Sequence, residues 1–424
     1  MVTEPDDGTE TESTERPATS DGPPAARSDR AMWGLVAGAS LIAAALGAYE
    51  IAPASVTPLI RESLGIGATA AGLLVGVMFA VAVVASVPVG VVLDRTDTRL
   101  AMALSVVAVF VVGLWGWWAA RAGAYGSLLA SRVVGGTAFI VVWNAGIDIV
   151  GEAASESRRA TVVALFTASA PLGFALGQGL SPAIAARWGW PAIFVAFNGL
   201  ALLGLVLFWP ASRGLGAAGG ETPTLAEFGR VLRSRRVWIV GGLGFLGYGL
   251  YLFVNSWGPS YLTTEVGISL GLSGLLIALF PAVGVVSRAS GGLLSDRLFD
   301  GRRRPVALVT FLVAAPLLVA FPLLRSVAAL VVGLLVAGFA IQLVVGLSFA
   351  YVRELVDPRV AATAVAFQAA LGMGGATVSP IVGGAVIDAA GYPAAFVGAG
   401  AMAAVGVGLA WVAPESGGRR REHR

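Results

Sequence analysis

Gly90-Val-Val-Leu-Asp94-Arg95-Thr-Asp-Thr-Arg99 is a short charged interruption between two long apolar runs. It has an echo 202 residues on, Gly292-Leu-Leu-Ser-Asp296-Arg297, which continues to Gly301-Arg302-Arg303-Arg304. The same shift, without a gap, lays Gly47 and Tyr49 on Gly249 and Tyr251, Glu152 on Glu354, and Pro191-Ala192 with Phe194 on Pro393-Ala394 with Phe396. Chance explains Gly matches in a chain holding 57 glycines; it does not explain matched Asp-Arg, Glu and Tyr positions. The sequence reads as one unit duplicated.

The unit is a membrane unit. Of 424 residues 57% are hydrophobic and 12% charged, about half the charge of a soluble protein. A helical span needs about 20 apolar residues. Twelve such segments stand at 32–57, 68–93, 100–120, 126–150, 160–186, 190–210, 237–261, 271–295, 305–323, 326–352, 361–386 and 392–412. Barrel strands would instead alternate over about 10 residues. The expected fold is all-α and integral to the membrane: twelve transmembrane helices in two six-helix bundles related by the internal repeat, with a binding site between them. The bundles are 32–210 and 237–413. The linker 211–236 holds a capping-box pattern, Thr224 and Glu227, before a short amphipathic helix. Residues 1–31 form an acidic tail too poor in apolar residues to fold, and 414–424 a basic one.

Arginine placement sets the expected orientation. With the N-terminus in the cytoplasm, 22 arginines fall on the cytoplasmic side, four (Arg61, Arg121, Arg187, Arg325) fall outside, and Arg132 and Arg288 lie within spans. This split follows the positive-inside rule and predicts a multi-pass cell-membrane protein with both termini cytoplasmic. It also accounts for the basic balance through anionic headgroups, without nucleic acid. There is no cysteine, the one histidine is His423, and no lysine occurs among the 28 basic residues. Thiol chemistry, a Walker A lysine and a Schiff base are thereby excluded. No cofactor, metal or enzymatic activity is expected. The expected partners are a small-molecule substrate, the bilayer and a coupling proton, acting on a monomer.

The two charged loops, with Arg132-Val-Val-Gly-Gly136 and the pair Glu152 and Arg159, resemble the signature motifs of the major facilitator superfamily over about residues 32–412. The resemblance implies a secondary transporter working by alternating access. The stretch Arg288-Ala-Ser-Gly291-Gly292 is similar to span 8 of nitrate/nitrite porters and organic-anion members, which implies an anion contact at Arg288. Two departures favour a monovalent organic anion over nitrate. Ser86 occupies the repeat position of Arg288, and the glycine-rich parts of spans 5 and 11 lack the nitrate asparagine. Pro171 and Pro182 follow Ala and Ser, so the Gly-Pro pair of drug antiporters is missing.

Read residue by residue, the charges allow several roles. Gly90 and Gly292 permit close helix approach. Asp94, Arg95, Arg99, Asp296, Arg297, Arg302 and Glu354, with Asp148, Glu152 and Arg159 at the end of span 4, then form a cytoplasmic gate of ion pairs, or else only set topology. Glu50 lies about 27 Å along span 1, and Arg132 about 9 Å along span 4 from the other side, so their depths coincide in a span of roughly 36 Å. Burial favours the neutral acid and a nearby guanidinium the carboxylate. The pair is therefore a proton-coupling candidate, a static packing pair, or a water-facing glutamate. Arg288 either holds an anion with its planar fork of donors or snorkels to headgroups. Tyr49, Trp143, Asn144, Gln178, Tyr248, Tyr251, Asn255, Trp257, Gln342 and Gln368 are candidate cavity residues; Tyr49, Asn144, Tyr251, Asn255 and Gln368 stand with Arg288 as the substrate-binding set. An efflux pump for hydrophobic compounds is the alternative within this fold, and a non-transporting sensor a further one.

Overall fold

A computed structural model describes residues 29–93, 95–215 and 225–415. Asp94, Thr224 and most of both tails lie outside the described residues. Among the described residues every regular element is helical: α1 (Asp29–Ser55), α2 (Thr57–Leu64), α3 (Ala68–Leu93), α4 (Thr98–Arg121), α5 (Tyr125–Ala153), α6 (Glu156–Trp188), α7 (Ala192–Ala211), α8 (Leu225–Leu232), α9 (Arg235–Thr264), α10 (Leu270–Ala282), α11 (Gly284–Leu298), α12 (Arg303–Ala320), α13 (Val327–Glu354) and α14 (Ala361–Trp411), with two short 3-10 turns. Hydrocarbon offers a backbone N–H or C=O no water, so each span must close its own hydrogen bonds. Polar side chains start the helices where they can. Asp97 accepts from the Arg99 and Leu100 amides at the head of α4, and Ser326 from Ala329 at the head of α13. α1 begins at Asp29 and so takes up the last three residues of the expected tail.

Eleven helical stretches are long and apolar enough to cross a membrane, α10 and α11 together making one of them. The twelfth crossing is inside α14. Its 51 residues break at Gly391 (φ 81°), a conformation that costs glycine little. Both ends of α14 lie on one face: it starts just after α13 ends, and the Tyr351 hydroxyl near that end donates to the Pro414 carbonyl. The helix therefore goes out and returns.

The chain packs as two cores. One is built from residues of α1 to α7, including Leu35, Ile42, Phe166 and Phe208. The other is built from residues of α9 to α14, including Leu250, Phe311 and Phe396, with Ile51, Val75 and Phe174 of the first bundle packed onto it. The seam between bundles is tight on the face remote from the arginines. A β-carbon on Gly72 would fall 2.2 Å from the Pro380 carbonyl oxygen, and one on Gly384 2.5 Å from that of Ala68. On the arginine-rich face, Gly90 and Gly292 have nothing within 4 Å of an added β-carbon. The close approach expected at these two glycines is absent.

The seam predicts a specific sensitivity. Gly72→Val forces α3 away from the Pro380 backbone. Ser256 is 2% exposed and its hydroxyl has no hydrogen-bond partner, so Ser256→Cys is a quiet reporter in a chain without cysteine. Its reaction with an aqueous maleimide should speed severalfold in the Gly72→Val background. An unchanged rate would mean the contact does not hold the seam.

Candidate substrate site

Span 8 is broken near its middle. α10 ends at Ala282, just after Pro281, and α11 restarts at Gly284. The break frees the Phe280 carbonyl, which accepts 2.7 Å from the Gln342 side-chain amide on α13. Gly284 makes room, since a β-carbon there would lie 1.8 Å from Gln342 Oε1. That oxygen in turn accepts from Arg288 Nε at 3.2 Å. Gln342 thus repairs the break with its N–H and aims Arg288 with its oxygen. The guanidinium carbon of Arg288 stands 5.0 Å from the Tyr251 ring centroid. Tyr251 is stacked between Phe280 of its own bundle (5.8 Å) and Phe174 of the other (5.4 Å). Its hydroxyl is buried without a hydrogen-bond partner, and it lies within electrostatic reach of Glu50 as well as Arg288. Arg288 is half-buried and turned inward, not snorkelled outward.

Glu50 and Arg132 are brought together, though not as carboxylate and guanidinium. Pro53 has no N–H to give the Tyr49 carbonyl four residues earlier. Arg132 Nη1 donates to that carbonyl at 2.9 Å, Nη2 to the Glu50 carbonyl at 2.6 Å and Nε to the Leu74 carbonyl of α3 at 2.9 Å. The expected side-chain pair is corrected: Arg132 pins three main-chain oxygens, and Glu50 Oε1 is buried without a hydrogen-bond partner. Tyr49 is buried, and its hydroxyl has no hydrogen-bond partner. Its ring lies under Arg132 (4.6 Å) and edge-on to Phe194, inside the first bundle.

The same repair occurs at the seam. Pro259 frees the Asn255 carbonyl, and Gln178 of the other bundle donates to it at 2.7 Å. Ser55 holds the Gln178 amide oxygen. Asn255 Nδ2 bonds the Tyr251 carbonyl within its helix (2.8 Å). Asn255 thereby sits at the seam, with its carbonyl and its side-chain amide N–H both engaged. Trp257 donates to the Pro380 carbonyl at 3.1 Å. Gln368 is buried against Gly244 with both amide atoms unpartnered. Asn144 is half-buried on α5, Trp143 is stacked on Phe139, and Tyr248 packs on Gly372.

Sequence reasoning missed Asp388. It reaches across the seam to the start of α3, accepting from the Ala68 amide (2.7 Å), the Thr69 amide (2.8 Å) and the Thr69 hydroxyl (2.7 Å), with Arg61 at 3.7 Å. Its repeat partner is Ala186, so the duplication gave no hint. The only signal was a lone acid at the end of an apolar run.

On the arginine-rich face the second bundle closes an ion-pair cluster within itself. Asp296 and Glu354 both meet Arg303, at 3.0 and 2.8 Å. Arg303, the middle of three consecutive arginines, holds the position expected of Arg297 or Arg302, which are exposed. Helix phase decides this, and a run of identical residues hides it. Arg99 bonds Ser212 (2.7 Å) and the Trp209 carbonyl (3.0 Å) and lies over the Trp209 ring, tying α4 to the end of α7. Arg159 caps α5 through the Gly151 carbonyl at 3.0 Å. Arg95, Asp148 and Glu152 are exposed there. Among the described residues no cluster of three metal-ligating side chains occurs.

The Arg132 pin predicts a coupled pair. Arg132→Met should cost about 3 kcal/mol by leaving buried carbonyls unpaired. Pro53→Ala returns an N–H to the Tyr49 carbonyl, so melting temperatures of the double-mutant cycle should show partial rescue. Strictly additive losses would contradict the pin.

The sequence profile of the Major Facilitator Superfamily matches residues 35–373 and again 299–424. A hexuronate transporter of Bacillus subtilis is 24% identical over 370 residues, covering 82% of this chain and 86% of its own. A protein described as a probable nitrate/nitrite antiporter of Thermus thermophilus is 30% identical over 235 residues, half of each chain. Among solved structures, a bacterial homolog of the human lysosomal transporter Spinster, inward-facing and unoccupied, superposes with a TM-score of 0.78 at 16% identity, covering 91% of this chain and 97% of that one. With its twelve crossings and duplicated six-helix unit, the chain is a multi-pass membrane transporter of the major facilitator superfamily.

Proposed function

We propose that this transporter carries a small organic anion by alternating access, with Arg288 as the anion contact. One observation carries the reading: an inward-turned guanidinium, oriented through Nε by Gln342, whose terminal nitrogens make no hydrogen bond among the described residues. Such a fork pairs with a carboxylate through two parallel bonds. The hexuronate and nitrate/nitrite names of two relatives point to the same chemistry. Tyr251 is the neighbouring donor. Its contact with Phe174 ties the site to the other bundle, so an anion seated there bears on both halves.

In this reading the arginine-rich face is cytoplasmic and is the open side. The opposite side is shut by the Gln178–Asn255 bond and the Asp388 contact with α3. Transport parts those bonds while the arginine-rich ends close. Glu50 is the proton-coupling group, because its carboxyl is buried with Oε1 lacking a hydrogen-bond partner and is engaged in no ion pair among the described residues. Arg132 belongs to the scaffold.

The test is a substitution series. Arg288→Lys keeps the charge but loses the fork, so anion affinity should fall several-fold. Arg288→Gln loses a charge-assisted bond of about 1.5–3 kcal/mol, tenfold or more in affinity, for anions only. Parental anion binding by Arg288→Gln would remove the reading and favour a hydrophobic-compound pump. Separately, Glu50→Gln should abolish accumulation driven by a pH gradient while sparing substrate exchange in liposomes. Unchanged uphill transport would place the coupling elsewhere.

A further inference from the structure

The second bundle carries a cavity whose lining includes none of Arg288, Tyr251, Phe280 or Gln342. It has a volume of about 580 Å³ and lies between α10–α11, α12 and α13. Its wall includes Leu298, Phe299, Val309, Val336 and Ala340, with Thr310 as the single polar side chain. Leu298 is 66% exposed and Val309 48%, so the cavity opens on the outer surface of the bundle, where hydrocarbon and not water is the solvent. One end reaches the arginine-rich face at Phe299. There Arg302 Nε donates to the Phe299 carbonyl at 3.3 Å, which fixes the guanidinium at the mouth. Its neighbour Arg303 is taken up by Asp296 and Glu354. Arg302 is exposed and has no carboxylate partner among the described residues.

We propose that this groove is a binding site for one anionic phospholipid of the arginine-rich leaflet, with an acyl chain in the groove and the headgroup phosphate on Arg302. An apolar slot ending at an unpaired cation matches both parts of such a lipid. A zwitterionic lipid fills the slot equally well but brings a compensating ammonium to the guanidinium, so the preference resides at Arg302 and the capacity in the wall. The cation of the charged loop thereby has a partner in the bilayer and not across the gate.

The experiment is native mass spectrometry of the full-length protein released from nanodiscs of phosphatidylglycerol and phosphatidylcholine. The parent should keep one phosphatidylglycerol with about tenfold preference. Arg302→Gln, at an exposed position, should fold normally and bring that preference to near parity while still retaining a lipid. Ala340→Phe should fill the slot and lose both lipids, with its melting temperature reporting the fold. Val309→Phe, on α12, serves if Ala340→Phe is misfolded. The proposal is overturned if the parent retains no lipid, if Arg302→Gln keeps the preference, or if the filled groove binds as the parent does.

Discussion

A carbonyl freed inside hydrocarbon must find a donor, because water is not there to supply one. Three breaks in this chain are answered by a side chain from another helix. Pro53 frees the Tyr49 carbonyl and Arg132 takes it. Pro259 frees that of Asn255 and Gln178 takes it. The break after Pro281 frees that of Phe280 and Gln342 takes it. Each donor is almost wholly enclosed, and each fixes the spacing of the helices it joins. Without them the kinks would leave costly unpaired oxygens at membrane depth.

The three repairs differ in what they connect. Arg132 works within the first bundle, beneath Tyr49 and Phe194, and has every reason to stay fixed. Gln178 works across the seam, so its bond can part only if the bundles part. Gln342 works within the second bundle and has an oxygen left over, which orients Arg288. The geometry of the candidate site is thus a by-product of backbone repair. The duplication is visible in the supports: Ser55 with Gln178 and Trp257 with Pro380 occupy equivalent positions. It is broken in the chemistry, since Arg288 answers to Ser86 and Asp388 to Ala186.

The fold was legible because span length and the 202-residue echo are properties of the chain alone. Arg288 stood out in the sequence as an ionisable side chain within a span, a functional candidate by default, but that it turns onto Gln342 and not toward the headgroups could not be read there. What failed was partner choice. Glu50 and Arg132 share a depth, but whether a guanidinium meets a carboxylate or the main chain depends on side-chain direction. The signal was Pro53, three residues from Glu50, which announced a freed carbonyl needing a donor. The gate residues are a different matter: a loop motif serves more than one conformation, and the close approach expected at Gly90 and Gly292 is absent in this one. The pairing of Arg303 and not Arg302 with Asp296 and Glu354 rests on helical phase, which begins at a residue the sequence does not mark.

An anion on Arg288 should shift the seam. Glu62 and Glu265 are exposed on the far face, one in each bundle, and a chain without native cysteine allows spin labels at those two positions alone. Their distance, measured by double electron–electron resonance, should be short and narrow without substrate. With a transported anion it should gain a longer population, and Arg288→Gln should abolish that gain. A distance that ignores the anion, or that responds equally in Arg288→Gln, would contradict the account.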